Sequence, residues 1–178
     1  ELREVARMLR PYGRMTIRIN HECSGTWFTH NKRFTYEQVG KFFAHFSDII
    51  HQEAPNVRTV FCAGFAQADG KLEKEDEFAV AYRAADVWSA DCYLALHYGW
   101  PYDVAEVGGG QYKADSVGMY YDMFRRTYER ASSQFGCKPL VTAEFNTDGD
   151  VTGPRHQGES VIRFAEAFRD HQADWFKA

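Results

Sequence analysis

Hydrophobic residues recur along this chain with a spacing of two over short runs and a spacing of three to four over longer ones. Met15, Ile17 and Ile19 alternate with polar residues, which predicts a strand. Thr35, followed three residues later by Gln38, is typical of a capping box at the start of a long helix. Together these patterns predict strands over residues 15–20, 57–63, 86–94 and 138–145, and helices over residues 2–9, 35–53, 73–85, 114–135 and 159–177.

The order of these elements predicts the fold class. A first helix is followed by four strand–helix units, and such alternation favours an α/β fold with a parallel sheet and right-handed crossovers. Four units are about half of a (β/α)8 barrel, the TIM barrel, which typically needs about 250 residues. We therefore expect residues 1–178 to be one partial barrel domain. A small doubly wound sheet is the alternative, although no Gly-rich phosphate loop follows any predicted strand.

Composition narrows the function classes. The 178 residues are 44% apolar, which is enough to bury a core, and the net charge is -4 with a pI near 6.0. That charge argues against nucleic acid and against an anionic membrane surface as partners. The sequence contains no apolar run long enough to span a bilayer. It begins without Met and without a signal-peptide pattern, so we expect a chain that starts inside a longer protein or has been processed.

The four cysteines are interpreted as buried free thiols. They are Cys23, Cys62, Cys92 and Cys137, and no pair has the Cys-x-x-Cys spacing. A chain of this length with its own core does not need a disulfide framework. The sequence leaves their oxidation state open.

Two glutamates are the candidate catalytic residues. Glu22 follows the first predicted strand, and Glu144 lies at the end of the fourth. Side chains at the carboxyl ends of strands lie where α/β folds place their chemistry. Strand alternation puts Arg18 on the same inner face as Glu22, where its charge can orient a carboxylate. A carboxylate pair of this kind, one protonated and one ionised, cleaves glycosidic bonds.

Further candidates lie after the third predicted strand. His97 and Trp100 fall in a long predicted loop at the same mouth, where loops of such folds often carry function. His97 can be a substrate contact or a histidine that packs in the loop, and Trp100 is of the type that stacks on sugars. A metal centre is the weaker interpretation, because His21, Glu22 and His30 match no compact metal-binding spacing.

The residues around Glu22 resemble a known family. The run His21-Glu22-Cys23-Ser24-Gly25-Thr26-Trp27-Phe28 resembles the signature that follows strand 4 in glycoside hydrolase family 26, largely β-mannanases of the (β/α)8 retaining clan. Thinner similarity extends over most of the chain, as strands 4 to 7. It includes Phe34-Thr35-Tyr36-Glu37, Asn56-Val57, Asp91-Cys92-Tyr93 and the run from Pro139 to Phe145.

The resemblance implies roles for individual residues. Glu22 would be the general acid/base and Glu144 the nucleophile of a retaining double displacement. His21 would contact the sugar at the cleavage point, and Tyr93 would hydrogen-bond the nucleophile. Trp27 would shape the sugar pocket, together with Phe28 of the same signature.

The resemblance also implies an activity and partners. The expected activity is endo-hydrolysis of a β-linked polysaccharide such as mannan by a secreted enzyme. That chemistry needs no metal or organic cofactor. Strands 1 to 3 and 8 of the barrel would have to come from another segment or another chain. Two alternatives stay open: a carbohydrate-binding or structural protein with a degenerate site, and an enzyme of another family of the clan, of the xylanase or glucanase type.

Overall fold

In the computed structural model, the structure is described for residues 1–66, 69–98, 104–106, 117–147 and 154–177. The helices are α1 (Leu2–Leu9), α2 (Thr29–Arg33), α3 (Tyr36–Glu53), α4 (Ala79–Ala84), α5 (Val117–Phe135) and α6 (Pro154–Asp170), and a 3-10 turn occupies Arg10–Tyr12. The strands are β1 (Met15–Arg18), β2 (Val57–Phe65), β3 (Val87–Tyr98), β4 (Val104–Glu106), β5 (Leu140–Val141) and β6 (Phe145–Thr147).

The strands form a sheet in which consecutive parallel strands are neighbours. β1 pairs with β2, β2 with β3 and β3 with β5, all in parallel, and β6 continues beside β3 beyond β5. Only β4 runs antiparallel among the described strands, against the far end of β3. The predicted α/β class with a parallel sheet is therefore confirmed.

The helices cover one face of this sheet. Phe61 of β2, Trp88 of β3 and Leu140 of β5 are fully buried in one core cluster that also contains Phe43 of α3 and Phe124 of α5. Trp88 Nε1 donates a hydrogen bond of 2.9 Å to the carbonyl of Tyr82. A second cluster packs α1 and the amino-terminal part of β1 against α3. A doubly wound sheet would instead carry helices on both faces.

The opposite face of the sheet lines an open cavity of about 490 Å³. Its wall includes Thr16 and Arg18 of β1, Val60 of β2, Val87 of β3 and Val141 of β5. These residues alternate with the helix-facing positions, as the strand period of two requires. Arg18 thus lies on the inner face, as the sequence pattern predicts.

The start of α3 agrees with its predicted capping box. Thr35 Oγ1 accepts a hydrogen bond of 3.2 Å from Gln38 N, and Gln38 Oε1 accepts one of 2.9 Å from Thr35 N. These bonds satisfy two backbone groups that a helix start otherwise leaves unpaired.

Four predicted elements need correction. The helix predicted over residues 159–177 occupies Pro154–Asp170, and Phe176 pairs with Leu140 of β5 instead. The predicted helix over residues 73–85 is confined to Ala79–Ala84, because the acidic residues before it bond elsewhere: Glu75 is fully buried against Arg130 of α5 at 3.0 Å. The third strand extends to Tyr98, since β4 pairs with its end, so His97 lies in a strand and not in a loop. The fourth predicted strand is divided into β5 and β6.

The end of β1 also differs from the pattern. The strand stops at Arg18, and Asn20 has a left-handed backbone with φ of 50°. Alternation therefore does not carry Asn20 onto the inner face. Asn20 instead lines a small apolar cavity of about 230 Å³ together with Phe34 and Phe42.

The prediction for the cysteines is correct in three positions. Cys23, Cys62 and Cys92 are buried free thiols, and Cys137 is free but exposed. Burial raises the pKa of the Cys23 thiol to about 12, which makes it a poor nucleophile at neutral pH. Of the helices in the described part of the chain, none has the length and apolar content needed to cross a membrane.

Candidate active site

Arg18, at the carboxyl end of β1, connects two acidic residues across the inner face of the sheet. Its Nη2 donates a hydrogen bond of 2.8 Å to Glu144 Oε1, and its Nη1 lies 3.4 Å from Asp91 Oδ1. A quarter of the Arg18 side chain is exposed, whereas that of Asp91 is fully buried. The guanidinium therefore supplies positive charge where two carboxylates approach each other.

Glu22 lies four residues beyond β1, in a loop attached to β2. Ser24 N donates a hydrogen bond of 2.8 Å to Ala63 O, and Tyr36 Oη donates one of 3.1 Å to Ser24 O. The Ser24 hydroxyl also bonds Glu73. Glu22 itself is 6% exposed and has a left-handed backbone with φ of 48°, a conformation that non-glycine residues adopt rarely. We call residues 22–27 the Glu22 loop.

Glu144 lies at the break between β5 and β6. The inner-face side chains of β3 cause this break, because they replace backbone carbonyls as acceptors. Ser89 Oγ accepts a hydrogen bond of 3.1 Å from Ala143 N, and Asp91 Oδ1 accepts one of 3.0 Å from Glu144 N. The Glu144 side chain is 29% exposed and so remains more open to solvent than that of Glu22.

Asp91 is the third carboxyl of the site. Its Oδ2 is buried and has no hydrogen-bond partner among the described residues, and one of its oxygens lies within 4.8 Å of an oxygen of Glu22. Carboxyl groups this close repel each other when both are charged, which favours a proton on one of them. Burial and the negative charge of Glu144 raise the pKa of Asp91 to about 7, against the lowering effect of Arg18. Protonation of Asp91 therefore removes one negative charge from this crowded site.

The three carboxyl groups form a compact cluster. One oxygen each from Glu22, Asp91 and Glu144 lies within 4.8 Å of the other two. These are the described residues that could ligate a metal ion, since hard cations prefer carboxylate oxygens. Arg18 already supplies a positive charge at two of them, which disfavours a second cation. The same arrangement suits proton transfer and attack by one carboxylate.

Aromatic side chains of the Glu22 loop and its neighbours form a wall beside this cluster. The Trp27 Nε1 donates a hydrogen bond of 2.9 Å to Glu22 Oε2, and about half of Trp27 is exposed. His21 Nε2 lies 3.8 Å from Glu144 Oε1, and its ring contacts Phe28 edge-on at 4.4 Å between centroids. Phe65, at the end of β2, lies 6.2 Å from Trp27. The wall offers ring surface and hydrogen-bonding groups next to the acids.

The structure thus brings most of the predicted site residues together. Glu22, Glu144, Arg18 and His21 are in direct or near contact, and Trp27 joins them through Glu22, with Phe28 packed behind His21. Tyr93 lies in β3 with its Cα opposite Asn146, but the prediction for its hydroxyl concerns a side chain outside the described residues. The same holds for the side chain of His97. Trp100 lies outside the described residues altogether.

The sequence interpretation missed two residues that position the site, Ser89 and Asp91. A usable signal was present, since both occupy inner-face positions of a predicted strand whose alternate residues are apolar. A carboxylate in the middle of a buried strand needs a partner, and such a residue is a candidate for a functional group.

The chain was compared with profiles of known protein families, with curated proteins and with solved structures, and nothing matches it in any of the three comparisons.

Proposed function

We propose that this chain carries the catalytic centre of a retaining β-glycosidase that hydrolyses a mannan-like polysaccharide, with Glu22 as general acid/base and Glu144 as nucleophile. One observation carries the proposal: the two glutamates, 122 positions apart, present carboxylate oxygens within 4.8 Å of each other at one end of a parallel sheet.

The separation of the acids supports a retaining mechanism. In retaining glycosidases the two carboxyl groups are about 5 to 5.5 Å apart, whereas inverting enzymes need about 6.5 to 9.5 Å to admit a water. A spacing at or below the retaining value leaves no room for water between the acids and the sugar. Glu144 would therefore attack the anomeric carbon itself.

The surroundings of the acids support the assignment of roles. Glu144 receives a hydrogen bond from the Arg18 guanidinium, which favours a charged carboxylate, as a nucleophile requires. Glu22 is more deeply buried than Glu144 and has an oxygen within 4.8 Å of one of Asp91, whose pKa is raised to about 7 by burial and by the charge of Glu144. In glycosidases, two nearby carboxyls take the roles of acid and nucleophile because their surroundings give them different pKa values.

We further propose that the sheet is part of a (β/α)8 barrel, because each parallel strand neighbours the next one in the chain and the helices lie outside. After α6 the chain returns beside β5, where Leu140 pairs in parallel with Phe176. Leu140 N donates to Trp175 O at 2.8 Å, and Lys177 N donates to Leu140 O at 2.9 Å. Phe176 would be the first residue of the next barrel strand. Further strands would cover the inner face, from the same protein or from another chain.

Hydrolysis of β-mannan by the full protein tests the function. Glu22→Gln and Glu144→Gln should each abolish release of reducing sugar, because one loses the proton donor and the other the nucleophile. Glu37→Gln is the matched control, since the Glu37 side chain is 68% exposed on α3 and pairs with Lys41 on the same helix. The first sugar released should have the β configuration at its anomeric carbon. Near-normal activity in either active-site variant, or a first product of α configuration, would contradict the proposal.

A second candidate is carbohydrate binding without hydrolysis, which the half-exposed Trp27 beside Phe28 favours. In that case the full protein would bind β-mannan in calorimetry and release no sugar, and Glu22→Gln would leave binding unchanged. A xylanase-type or glucanase-type enzyme is separated from the first candidate by comparing mannan with xylan and β-glucan as substrates.

A further inference from the structure

The Trp27 indole has two environments at once. Its N–H end donates the 2.9 Å hydrogen bond to Glu22 Oε2, while 52% of the residue is exposed beside the three carboxyls. An N–H donor aimed at one carboxylate oxygen makes the two oxygens of Glu22 chemically different. A proton on Oε2 would face the indole hydrogen, so the transferable proton belongs on Oε1.

Gly25 makes this placement of the indole sterically allowed. A Cβ atom built on Gly25 would lie 2.5 Å from Trp27 Cζ2, 2.6 Å from Cε2 and 2.7 Å from Cη2. Carbon atoms do not approach this closely without displacement, since their optimal separation is about 3.5 to 4.0 Å. The ring therefore folds back over a backbone that has no side chain. The requirement for glycine is one of space, because its φ lies outside the left-handed range.

The loop backbone beneath the ring has little freedom to yield. Gly25 N donates a hydrogen bond of 2.9 Å to Glu22 O, and the neighbouring Ser24 bonds β2 and Tyr36. A Cβ built on Gly64 of β2 would lie 2.7 Å from the Ser24 hydroxyl, so the loop also approaches the strand closely. A side chain at position 25 would consequently move the indole rather than the backbone.

We propose that Gly25 and Trp27 are positioning residues for the general acid: together they select which oxygen of Glu22 carries the transferable proton. This inference rests on the proposed glycosidase function. In the first step Oε1–H protonates the glycosidic oxygen as its bond to the anomeric carbon breaks and Glu144 forms the new bond. The carboxylate left on Glu22 keeps the indole N–H as donor. In the second step water gives its proton to Glu22 and its oxygen to the anomeric carbon, and Glu144 is released.

Leaving-group dependence tests the proposal, because only poor leaving groups need the acid. In the full protein, Trp27→Phe keeps a ring and removes the N–H. We expect kcat/KM to fall about 10- to 100-fold for phenyl β-mannobioside, part of the roughly 100- to 10,000-fold that general acid catalysis contributes. The loss for the dinitrophenyl glycoside should be much smaller. Gly25→Ala should also lower kcat/KM more for the phenyl than for the dinitrophenyl substrate, since it displaces the Trp27 ring.

Gly158→Ala on α6 is the matched glycine control, because a Cβ there meets nothing within 4 Å. It should leave both substrates unaffected. Equal losses on both substrates in Trp27→Phe would mean that Trp27 only binds sugar, and the proposal would be wrong.

A second measurement does not depend on activity. In 1H–15N NMR spectra of the full protein, the Trp27 indole resonance should shift as the Glu22 carboxyl titrates. The shift should be absent in Glu22→Gln and altered in Gly25→Ala. If the Trp27 indole resonance shifts in this way but the protein hydrolyses no substrate, the contact between Trp27 and Glu22 is confirmed and the glycosidase function is refuted. If the enzyme is active but the Trp27 indole resonance changes neither with pH nor in Glu22→Gln, the inference about Trp27 is wrong. The proposed glycosidase function would still stand in that case.

Discussion

Glu22 and Glu144 face each other across the site, and the protein fixes them by different means. Glu22 sits in a loop with a left-handed backbone and receives a neutral indole N–H. Glu144 sits at a strand break, its own N–H taken by Asp91 and its carboxylate bonded to Arg18. A neutral donor allows a carboxyl to be either protonated or charged, whereas a guanidinium favours the charged form alone. The two proposed roles therefore follow from the partners of the two carboxylates, because the two side chains are chemically identical.

The largest expected effect comes from removing each acid and supplying azide. Glu144→Ala should abolish hydrolysis, and added azide should give the α-glycosyl azide, because it attacks from the side of the missing nucleophile. Glu22→Ala should lower hydrolysis of polysaccharide about 100- to 10,000-fold, and azide should give the β-glycosyl azide. Product configuration by NMR checks both. The opposite assignment of configurations would exchange the roles of the two glutamates.

The next effect concerns the charge that distinguishes Glu144. Arg18→Met leaves buried carboxyls without their cation. We expect a loss of about 2 kcal/mol in unfolding free energy near neutral pH, less than for a fully buried pair because a quarter of Arg18 is exposed. The loss should shrink in acid, where the carboxyls are protonated. Urea denaturation at neutral and at acidic pH measures it. A loss that does not change with pH would indicate packing and not charge.

Asp91 should give the protein a distinctive pH dependence. Its folded pKa of about 7 is above the unfolded value, which is about 3.9. The stabilisation by the protonated carboxyl is therefore complete below the unfolded pKa and is lost as pH rises towards 7 and through it. Asp91→Asn keeps an oxygen acceptor for the Glu144 N–H and cannot titrate. Urea denaturation between the unfolded and folded pKa values should show an unfolding free energy that depends less on pH in the variant. An identical pH dependence in both proteins would refute the raised pKa of Asp91.

The smallest effect is confined to the Glu22 side. Tyr36→Phe removes the hydroxyl that donates to Ser24 O in the Glu22 loop. We expect a loss of about 1 kcal/mol in stability, with the response of the Trp27 indole resonance to pH weakened. The α-azide reaction of Glu144→Ala with the dinitrophenyl glycoside, whose leaving group does not need the acid, should be unaffected by adding Tyr36→Phe. A large loss in that reaction would show that the two halves of the site are coupled.

Local patterns in the sequence predicted the parts of the fold that rest on local physics. The capping box at Thr35 depends on four consecutive residues, and it forms as predicted. Alternation in β1 correctly placed Arg18 on the inner face, because the period of a strand is a property of its own backbone.

Other features depend on residues far apart in the chain. The break between β5 and β6 arises because Ser89 and Asp91 accept the N–H groups of residues 143 and 144, more than 50 positions away. The short α4 reflects the burial of Glu75 against Arg130 of α5. The length of β3 depends on its pairing with β4. No local spacing in the sequence encodes such contacts. Sequence patterns therefore predicted Glu144 at the end of one strand and His97 in a loop, whereas Glu144 lies between two strands and His97 lies within β3.

The left-handed backbone of Glu22 has a consequence for how this sequence can change over generations. For a residue with a Cβ that conformation costs about 1 to 2 kcal/mol, and glycine escapes most of the cost. Replacement of Glu22 by Gly would therefore remove this backbone strain, while it deletes the carboxylate that accepts from Trp27 and destroys the proposed chemistry. Without selection for the carboxylate, this backbone conformation would not favour glutamate at position 22. The identity of this one residue in related chains would report whether the chemistry is still in use.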